Sequence, residues 1–291
     1  MSVFKKIALI GFGEVGQTLA EDLTKLGVDL FAFDILFDHP ASEPSKAVAS
    51  SSARACTSAA DAVKDAELIL SAVTAASDID AARSCIGAMA SGTVFLDMNS
   101  ASPGMKRAAQ AIIDDAGGRY VEAAVMTPIS GKRIASKMLL GGAHAEEFIA
   151  RAAPLGFDAT VFSDEIGKAS ATKMCRSVII KGVEALLSES MLAARDYGVE
   201  REVLDSLTDL LPRDDWEKFT RYMISRALQH GVRRAEEMRE AAKTVEETGI
   251  EPLMATATAQ RQDWSAVRKH ALTHAGDLGA MIDAMRDHEA K

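Results

Sequence analysis

An α/β domain built on a doubly wound, mostly parallel sheet, followed by an all-α domain, is the architecture this chain's sequence predicts. Two patterns carry the prediction. Across the first half, short β-branched or apolar runs alternate with amphipathic helical stretches, the arrangement that lays helices on both faces of a parallel sheet. From about Glu165 nothing alternates with period two, and helix formers such as Ala, Leu, Glu, Met and Arg dominate. The expected domains are residues 1–164 and 165–291.

The predicted strands are Lys6–Ile10, Asp29–Phe33, Ala53–Thr57, Leu68–Val73, Thr93–Met98, Tyr120–Ala124, Lys137–Gly141 and Ala159–Phe162. Between them, Val15–Leu26 and Ser77–Met89 carry apolar residues at helical spacing. The second half opens on a long helix predicted over Lys168–Arg195, stopped by Tyr197-Gly198 and read as a spine joining both domains. Later breaks are expected at Pro212, Gly231, Gly249 to Pro252 and Gly276.

The 291 residues suffice for two domains of ordinary size, and 48% hydrophobic with 26% charged residues is the balance of a chain that buries a core. A net charge of -9 argues against nucleic acid as a partner, because neutralising phosphates needs clustered Lys and Arg. Three cysteines, Cys56, Cys85 and Cys175, lack metal-ligand spacing, so no metal is expected, and their odd number fits a reducing cytoplasm. The opening MSVFKKIALIGFG leads into glycines with another use and no cleavage site, and no apolar run approaches the ~20 residues that span a bilayer. A cytoplasmic protein without a membrane partner is expected.

Gly11, Gly13 and Gly16 form G-F-G-E-V-G immediately after the strand IALI and before the helix VGQTLAEDL. In a Rossmann domain the first glycine permits the tight turn, the second lets backbone approach a pyrophosphate, and the third lets helix and strand pack closely. Free N–H groups at the helix N-terminus face the anion. Gly11, Phe12, Gly13, Glu14, Val15 and Gly16 are therefore the predicted cofactor turn. Asp34, at the end of the second strand, can accept hydrogen bonds from both ribose hydroxyls; it would repel a 2′-phosphate, and no Arg follows it. NAD is expected over NADP.

Ligands of open parallel sheets lie beyond the carboxyl ends of the strands. Val73 and Thr74 would run along the nicotinamide ribose, joined by Asn99. The segment from Asp97 to Pro103 offers hydroxyls and turn N–H groups for a carboxylate, although Asn99 to Ser102 could equally cap the helix that starts near Pro103. The segment Glu122 to Pro128, with Met126, stands at the end of the sixth strand. On the long helix Lys173, Ser177, Lys181 and Glu184 share one face. One of them could be an acid/base, since a hydride leaving an alcohol carbon requires the hydroxyl proton to leave too, and burial near a cationic ring can lower a lysine's pKa; most helical lysines are merely solvated.

These pieces, in this order, resemble the β-hydroxyacid dehydrogenase superfamily, which includes 6-phosphogluconate and 3-hydroxyisobutyrate dehydrogenases, over nearly the whole chain. Gly167-Lys168-Ala169-Ser170-Ala171-Thr172-Lys173 is similar to the family's G-x-G-x-x-x-K segment, with Ala169 for its second Gly. The resemblance implies that Lys173 is the catalytic lysine, taking the hydroxyl proton in oxidation and returning it in reduction. Asp97-Met98-Asn99-Ser100 resembles D-x-S-T, one position displaced, implying that Ser100 and Asn99 hold substrate. Glu122-Ala123-Ala124-Val125-Met126 stands where the family has D-A-P-V-S-G-G and departs from it, which implies a different substrate.

Arg176 and Ser177 replace the family's asparagines, and Ile180 stands where 6-phosphogluconate dehydrogenases carry a glutamate, so decarboxylation is not expected. Together with the His230–Met238 segment they look like the phosphogluconate-dehydrogenase-like branch. Lys181, Arg176, His230, Arg233 and Arg234 are candidates to bind an anionic substrate group, or instead to pair with Glu184, Glu236 or Glu237. Trp216, Trp264 and the methionines read as core or dimer interface. The reading is an NAD-dependent oxidoreductase acting between a small hydroxy acid and its aldehyde or ketone, in a cleft between the domains, with a homodimer implied by the family. An imine reductase and a non-catalytic NAD sensor are the alternatives.

Overall fold

The computed structural model describes residues 2–209, 211 and 214–286. Among them eight strands form one sheet in the order β3-β2-β1-β4-β5-β6-β7-β8. They are β1 (Lys6–Ile10), β2 (Asp29–Phe33), β3 (Arg54–Ala55), β4 (Leu68–Ser71), β5 (Val94–Asp97), β6 (Arg119–Val125), β7 (Met138–Gly141) and β8 (Ala159–Ser163). β6 and β7 pair antiparallel and every other neighbouring pair is parallel. The strand order reverses between β1 and β4, which opens a crevice at their carboxyl ends. All eight strands stand where the sequence places them; β3 is shorter than expected because it pairs on one side only and both its residues are exposed.

The helices of this part are α1 (Glu14–Thr24), α2 (Glu43–Ala49), α3 (Ala59–Val63), α4 (Asp78–Cys85), α5 (Pro103–Asp115), α6 (Ile129–Lys132) and α7 (Ala145–Ala152). Side chains of a strand alternate between faces, and the core divides accordingly. Ile7, Leu9, Leu68, Leu70, Val94 and Leu96 pack on one face with Leu19 and Leu23 of α1 and Phe148 of α7. Ala8, Ile10, Ile69 and Phe95 pack on the other with Ala62 and Val63 of α3, Ala82 of α4 and Ile113 of α5. Burial on both faces is why these strands read as nearly continuous apolar runs.

The chain divides into two compact units, residues 1–173 and 174–291, and the division falls inside α8 (Lys168–Tyr197). The second unit continues with α9 (Glu200–Ser206), α10 (Trp216–Glu246), α11 (Leu253–Ala266) and α12 (Leu278–Arg286). Its core gathers Met191, Leu204, Ile224, Leu228, Met281, Ile282 and Met285, with Trp216 and Trp264 half-buried against it. No helix of the described residues is long and apolar enough to cross a membrane.

The break expected at Gly231 takes the form of a kink: the helical backbone of α10 is interrupted at His230 (φ -123°, ψ 15°), one residue before it, and resumes without a loop. A side chain at 231 would lie 2.7 Å from the Gln262 carbonyl oxygen, so the residue serves close packing of α10 on α11, and that packing overrides the poor helix propensity of glycine. The breaks at Gly198, Gly249 to Pro252 and Gly276 stand, and Pro212 lies outside the described residues.

Candidate active site

The glycine turn joins β1 to α1 at the crevice. Gly11 has φ +94°, and a Cβ there would fall 2.4 Å from the Ala72 carbonyl oxygen; a Cβ on Gly16 would fall 2.2 Å from the carbonyl oxygen of Gly11. Those two glycines serve the protein's own packing. Gly13 differs, because nothing of the protein lies within 4 Å of where its Cβ would be. It is the N-cap of α1 and brings no side-chain cap, and Glu14 and Val15 open the helix behind it. An open backbone cradle at a helix N-terminus fits a pyrophosphate. Asp34 closes the turn from β2: its Oδ2 accepts from the Phe12 N–H at 2.7 Å and its Oδ1 from the Leu36 N–H at 2.9 Å.

Beyond β4 and β5 the structure uses Asn99 for assembly. Its Oδ1 accepts from the Val73 N–H at 2.7 Å, and its Nδ2 donates to Ser71 Oγ at 2.9 Å and to Asp78 Oδ1 at 2.8 Å. Both amide hydrogens are thus spent inside the protein, and the buried Asn99 ties the ends of the two strands together with Val73-Thr74 on one side and Ser100 on the other. Capping of α5 falls to Ser102, whose Oγ accepts from the Met105 N–H.

Beneath Asn99 lies a buried charged group that sequence reading missed. Lys106 of α5 is 1% exposed; its Nζ stands 2.5 Å from Asp97 Oδ1 and 3.9 Å from Asp78 Oδ2. Tyr120 donates to Asp97 Oδ2 at 2.6 Å. Burial pushes the Asp78 carboxyl up to about 7, against the pull of Lys106 and with Asp97 adding to the rise. Burial would lower the Lys106 ammonium, but Asp97 and Asp78 outweigh it and hold it above its ordinary value. A lysine among the apolar positions of α5 was the available signal, since a buried ammonium demands carboxylates.

Lys173, half-buried on the second turn of α8, donates from Nζ to Ser100 Oγ at 2.7 Å. The residue that resemblance singles out as the acid/base and the one chosen to hold substrate are therefore in direct contact. Met126 continues β6, its N–H donating to the Lys137 carbonyl oxygen at 2.9 Å.

The helical unit groups the remaining candidates. Lys181 donates to Ser177 Oγ at 2.9 Å and pairs with Glu237 at 2.6 Å, and Arg233 reaches the same Glu237 at 2.9 Å. Arg234 holds Glu184 through both carboxylate oxygens at 2.6 and 2.7 Å, and Gln262 adds a third hydrogen bond at 3.0 Å. Burial nonetheless raises the Glu184 carboxyl and lowers the Arg234 guanidinium, so desolvation outweighs their pairing. His230 Nε2 lies 2.9 Å from Arg226 Nη1, and burial together with Arg226, Arg233, Arg234 and Lys269 pushes the imidazole down to about 4. A neutral His230 accepts that hydrogen bond. Arg176 is exposed on α8.

Residues 6–155 match a family model described as the NAD binding domain of 6-phosphogluconate dehydrogenase, and residues 194–265 match a domain of unknown function, DUF1932. A conserved hypothetical protein from Sinorhizobium meliloti 1021 has a similar crystal structure, with TM-score 0.73 and 31% identity over 96% of each chain. A conserved protein of unknown function whose structure reveals similarity with 3-hydroxyacid dehydrogenases gives TM-score 0.70 and 29% identity, covering 94% of this chain and 98% of that one. The 2-(hydroxymethyl)glutarate dehydrogenase of Eubacterium barkeri is 25% identical over 69% of this chain and 67% of its own. An imine reductase from Streptomyces aurantiacus shares the fold at 16% identity and TM-score 0.56. With its glycine turn, its Rossmann sheet and these matches, the chain belongs to the family built on the NAD-binding domain of 6-phosphogluconate dehydrogenase, beside the 3-hydroxyisobutyrate dehydrogenase-like hydroxyacid dehydrogenases.

Proposed function

We propose that this protein is an NAD-dependent dehydrogenase that interconverts a small hydroxy acid and its aldehyde or ketone, without decarboxylation, using Lys173 as general acid/base. The observation that carries the reading is the 2.7 Å hydrogen bond from Lys173 to Ser100. Ser100 follows β5, two strands from β1 and its glycine turn, on the side where parallel sheets bind ligands. When bound, the nicotinamide dinucleotide supplies the hydride acceptor or donor. Gly11 to Gly16 and Asp34 would hold it, with Val73 and Thr74 alongside.

Lys173 takes the hydroxyl proton during oxidation and returns it during reduction. Because Ser100 Oγ accepts from Lys173, its own proton is left to donate to a substrate oxygen. Asn99 acts from behind by setting the position of Ser100. Within the helical unit, Arg176, Ser177, Lys181, His230 and Arg233 are the candidates for binding an anionic group, and Glu237 already neutralises part of the charge on Lys181 and Arg233. The Eubacterium barkeri relative is named for 2-(hydroxymethyl)glutarate, and hydroxy acids of that size are the proposed class. Preference for NAD rests on the Asp34 carboxylate. A cytoplasmic homodimer completes the reading.

The test is NADH formation or consumption across hydroxy acids, semialdehydes and a cyclic imine, with the wild type and Lys173→Ala side by side. Turnover of a hydroxy acid and a loss of at least ~10²-fold in the variant are expected. Full turnover by Lys173→Ala would remove the acid/base assignment; reduction of the imine alone would replace the substrate class.

A further inference from the structure

We propose that Glu122 is the positioning residue for Lys173: its carboxylate clamps the first turn of α8 and so sets where the lysine presents its amine. The inference rests on the reading of Lys173 as the acid/base and adds the group that aims it.

Glu122 stands on β6 and is fully buried. Its Oε2 accepts from the Gly167 N–H at 2.7 Å and its Oε1 from the Ser170 N–H at 2.6 Å. The Gly167 carbonyl accepts from the Ala171 N–H, which makes Gly167 the N-cap of α8 and Ser170 its third residue. Those are the two N–H groups that a capping box satisfies with two side chains of the helix itself. Gly167 has no side chain to offer, and the Ser170 hydroxyl is turned to the Gly167 carbonyl at 3.1 Å. One carboxylate from the sheet therefore does both jobs. A negative charge at this end of a helix also meets the positive end of its dipole.

The site is built around that carboxylate. Gly141, the register partner of Glu122 on β7, leaves it room: a Cβ there would fall 2.6 Å from Oε2. On the other side Glu122 is in register with Asp97 of β5, three residues before Ser100. Lys173 lies three residues past Ser170, on the same face of α8. Both partners of the Lys173–Ser100 hydrogen bond thus hang from one pair of adjacent strand residues, Glu122 and Asp97. Sliding or fraying of the first turn of α8 would move the amine off Ser100 without touching the glycine turn.

The test compares Glu122→Gln, Lys173→Ala and the double variant in the full chain. Glutamine keeps the size of the side chain but turns an NH2 group against one of the two N–H donors. The first readout needs no substrate: the rate at which 2,4,6-trinitrobenzenesulfonate modifies Lys173, measured by peptide mass against Lys64 and Lys243 as internal references. Glu122→Gln is expected to change the Lys173 rate at least ~3-fold and leave the references unchanged, because only the local anchor is lost. The second is a double-mutant cycle on kcat with the hydroxy acid that the wild type turns over. Glu122→Gln is expected to cost at least ~10-fold in the wild type and under ~2-fold in the Lys173→Ala background, with NAD affinity within ~3-fold of wild type.

An unchanged Lys173 rate, or an equal kcat loss in both backgrounds, would overturn the positioning role. Full activity of Lys173→Ala would instead remove the reading on which the proposal rests, a result visible in that single variant alone. Should Glu122→Gln not fold, Gly141→Ala displaces the same oxygen while keeping its charge, and the same two readouts apply.

Discussion

Lys173 Nζ donates to Ser100 Oγ at 2.7 Å, across 73 positions of sequence, and the two residues come from α8 and from the turn after β5. The hydrogen bond holds the amine beside Ser100, and on the proposed reading that is where a substrate hydroxyl proton is passed. Ser100→Ala removes the hold and one donor to the substrate but leaves the base. The expected result is a fall in kcat of roughly 10-fold, smaller than that of Lys173→Ala, with a rise in KM for the hydroxy acid. Steady-state kinetics at saturating NAD check it, and a kcat equal to wild type would contradict it.

The glycine turn separates into packing and binding positions. Gly16→Ala places a Cβ 2.2 Å from the Gly11 carbonyl oxygen, so a loss of stability of about 1–3 kcal/mol is expected from overpacking. Gly13→Ala meets nothing of the protein within 4 Å, so its melting temperature should match the wild type while its NAD affinity falls. Thermal unfolding and NAD titration on the two variants separate the effects; equal NAD affinity in Gly13→Ala would move the pyrophosphate elsewhere.

Asp34 should decide between the dinucleotides. Its carboxylate accepts from the Phe12 and Leu36 N–H groups, and further lone pairs remain for ribose hydroxyls. In Asp34→Ser the repulsion of a 2′-phosphate disappears. The ratio of kcat/KM for NAD over NADP is expected to drop by at least ~10-fold, a change of about 1.4 kcal/mol in relative transition-state stabilisation. An unchanged ratio would place the discrimination in another residue.

A buried carboxyl and a half-buried imidazole give the stability a pH dependence of opposite signs. Asp78, raised to about 7, holds a proton in the folded state that the unfolded chain gives up near its ordinary value of 3.8. Its contribution is present at the acid end of that window and is lost as pH rises through about 7. His230, lowered to about 4 from 6.5, contributes above 6.5 and loses its contribution as pH falls through about 4. Urea unfolding from pH 4 to 8 should therefore show less loss on the acid side in His230→Gln, and less loss toward neutral pH in Asp78→Asn. Identical profiles for a variant and the wild type would refute the assignment for that residue.

The strands, the glycine turn, Asp34 and the start of α8 were legible in the sequence because each is written over a few neighbouring residues. Alternation of period two places a strand, and Gly11, Gly13 and Gly16 between IALI and an amphipathic helix admit few other turns. Lys173 was legible through a local segment too, by resemblance. The break at Gly231 was legible as well, but not its form: packing of α10 on α11 limits it to a kink at His230 where propensity alone would end the helix.

Pairing among buried polar groups belongs to the tertiary structure. Glu122 meets the α8 N-terminus 45 residues away, Glu184 meets Arg234 50 residues away, and Asn99 meets Val73 26 residues back. No periodicity encodes such partners, since a buried charge specifies only that a counterpart must exist, not which residue supplies it. The class of fold and the glycine turn were set by local sequence; only the folded sheet set Asp97 beside Glu122 and brought Lys173 to Ser100, because such contacts join residues far apart in the chain.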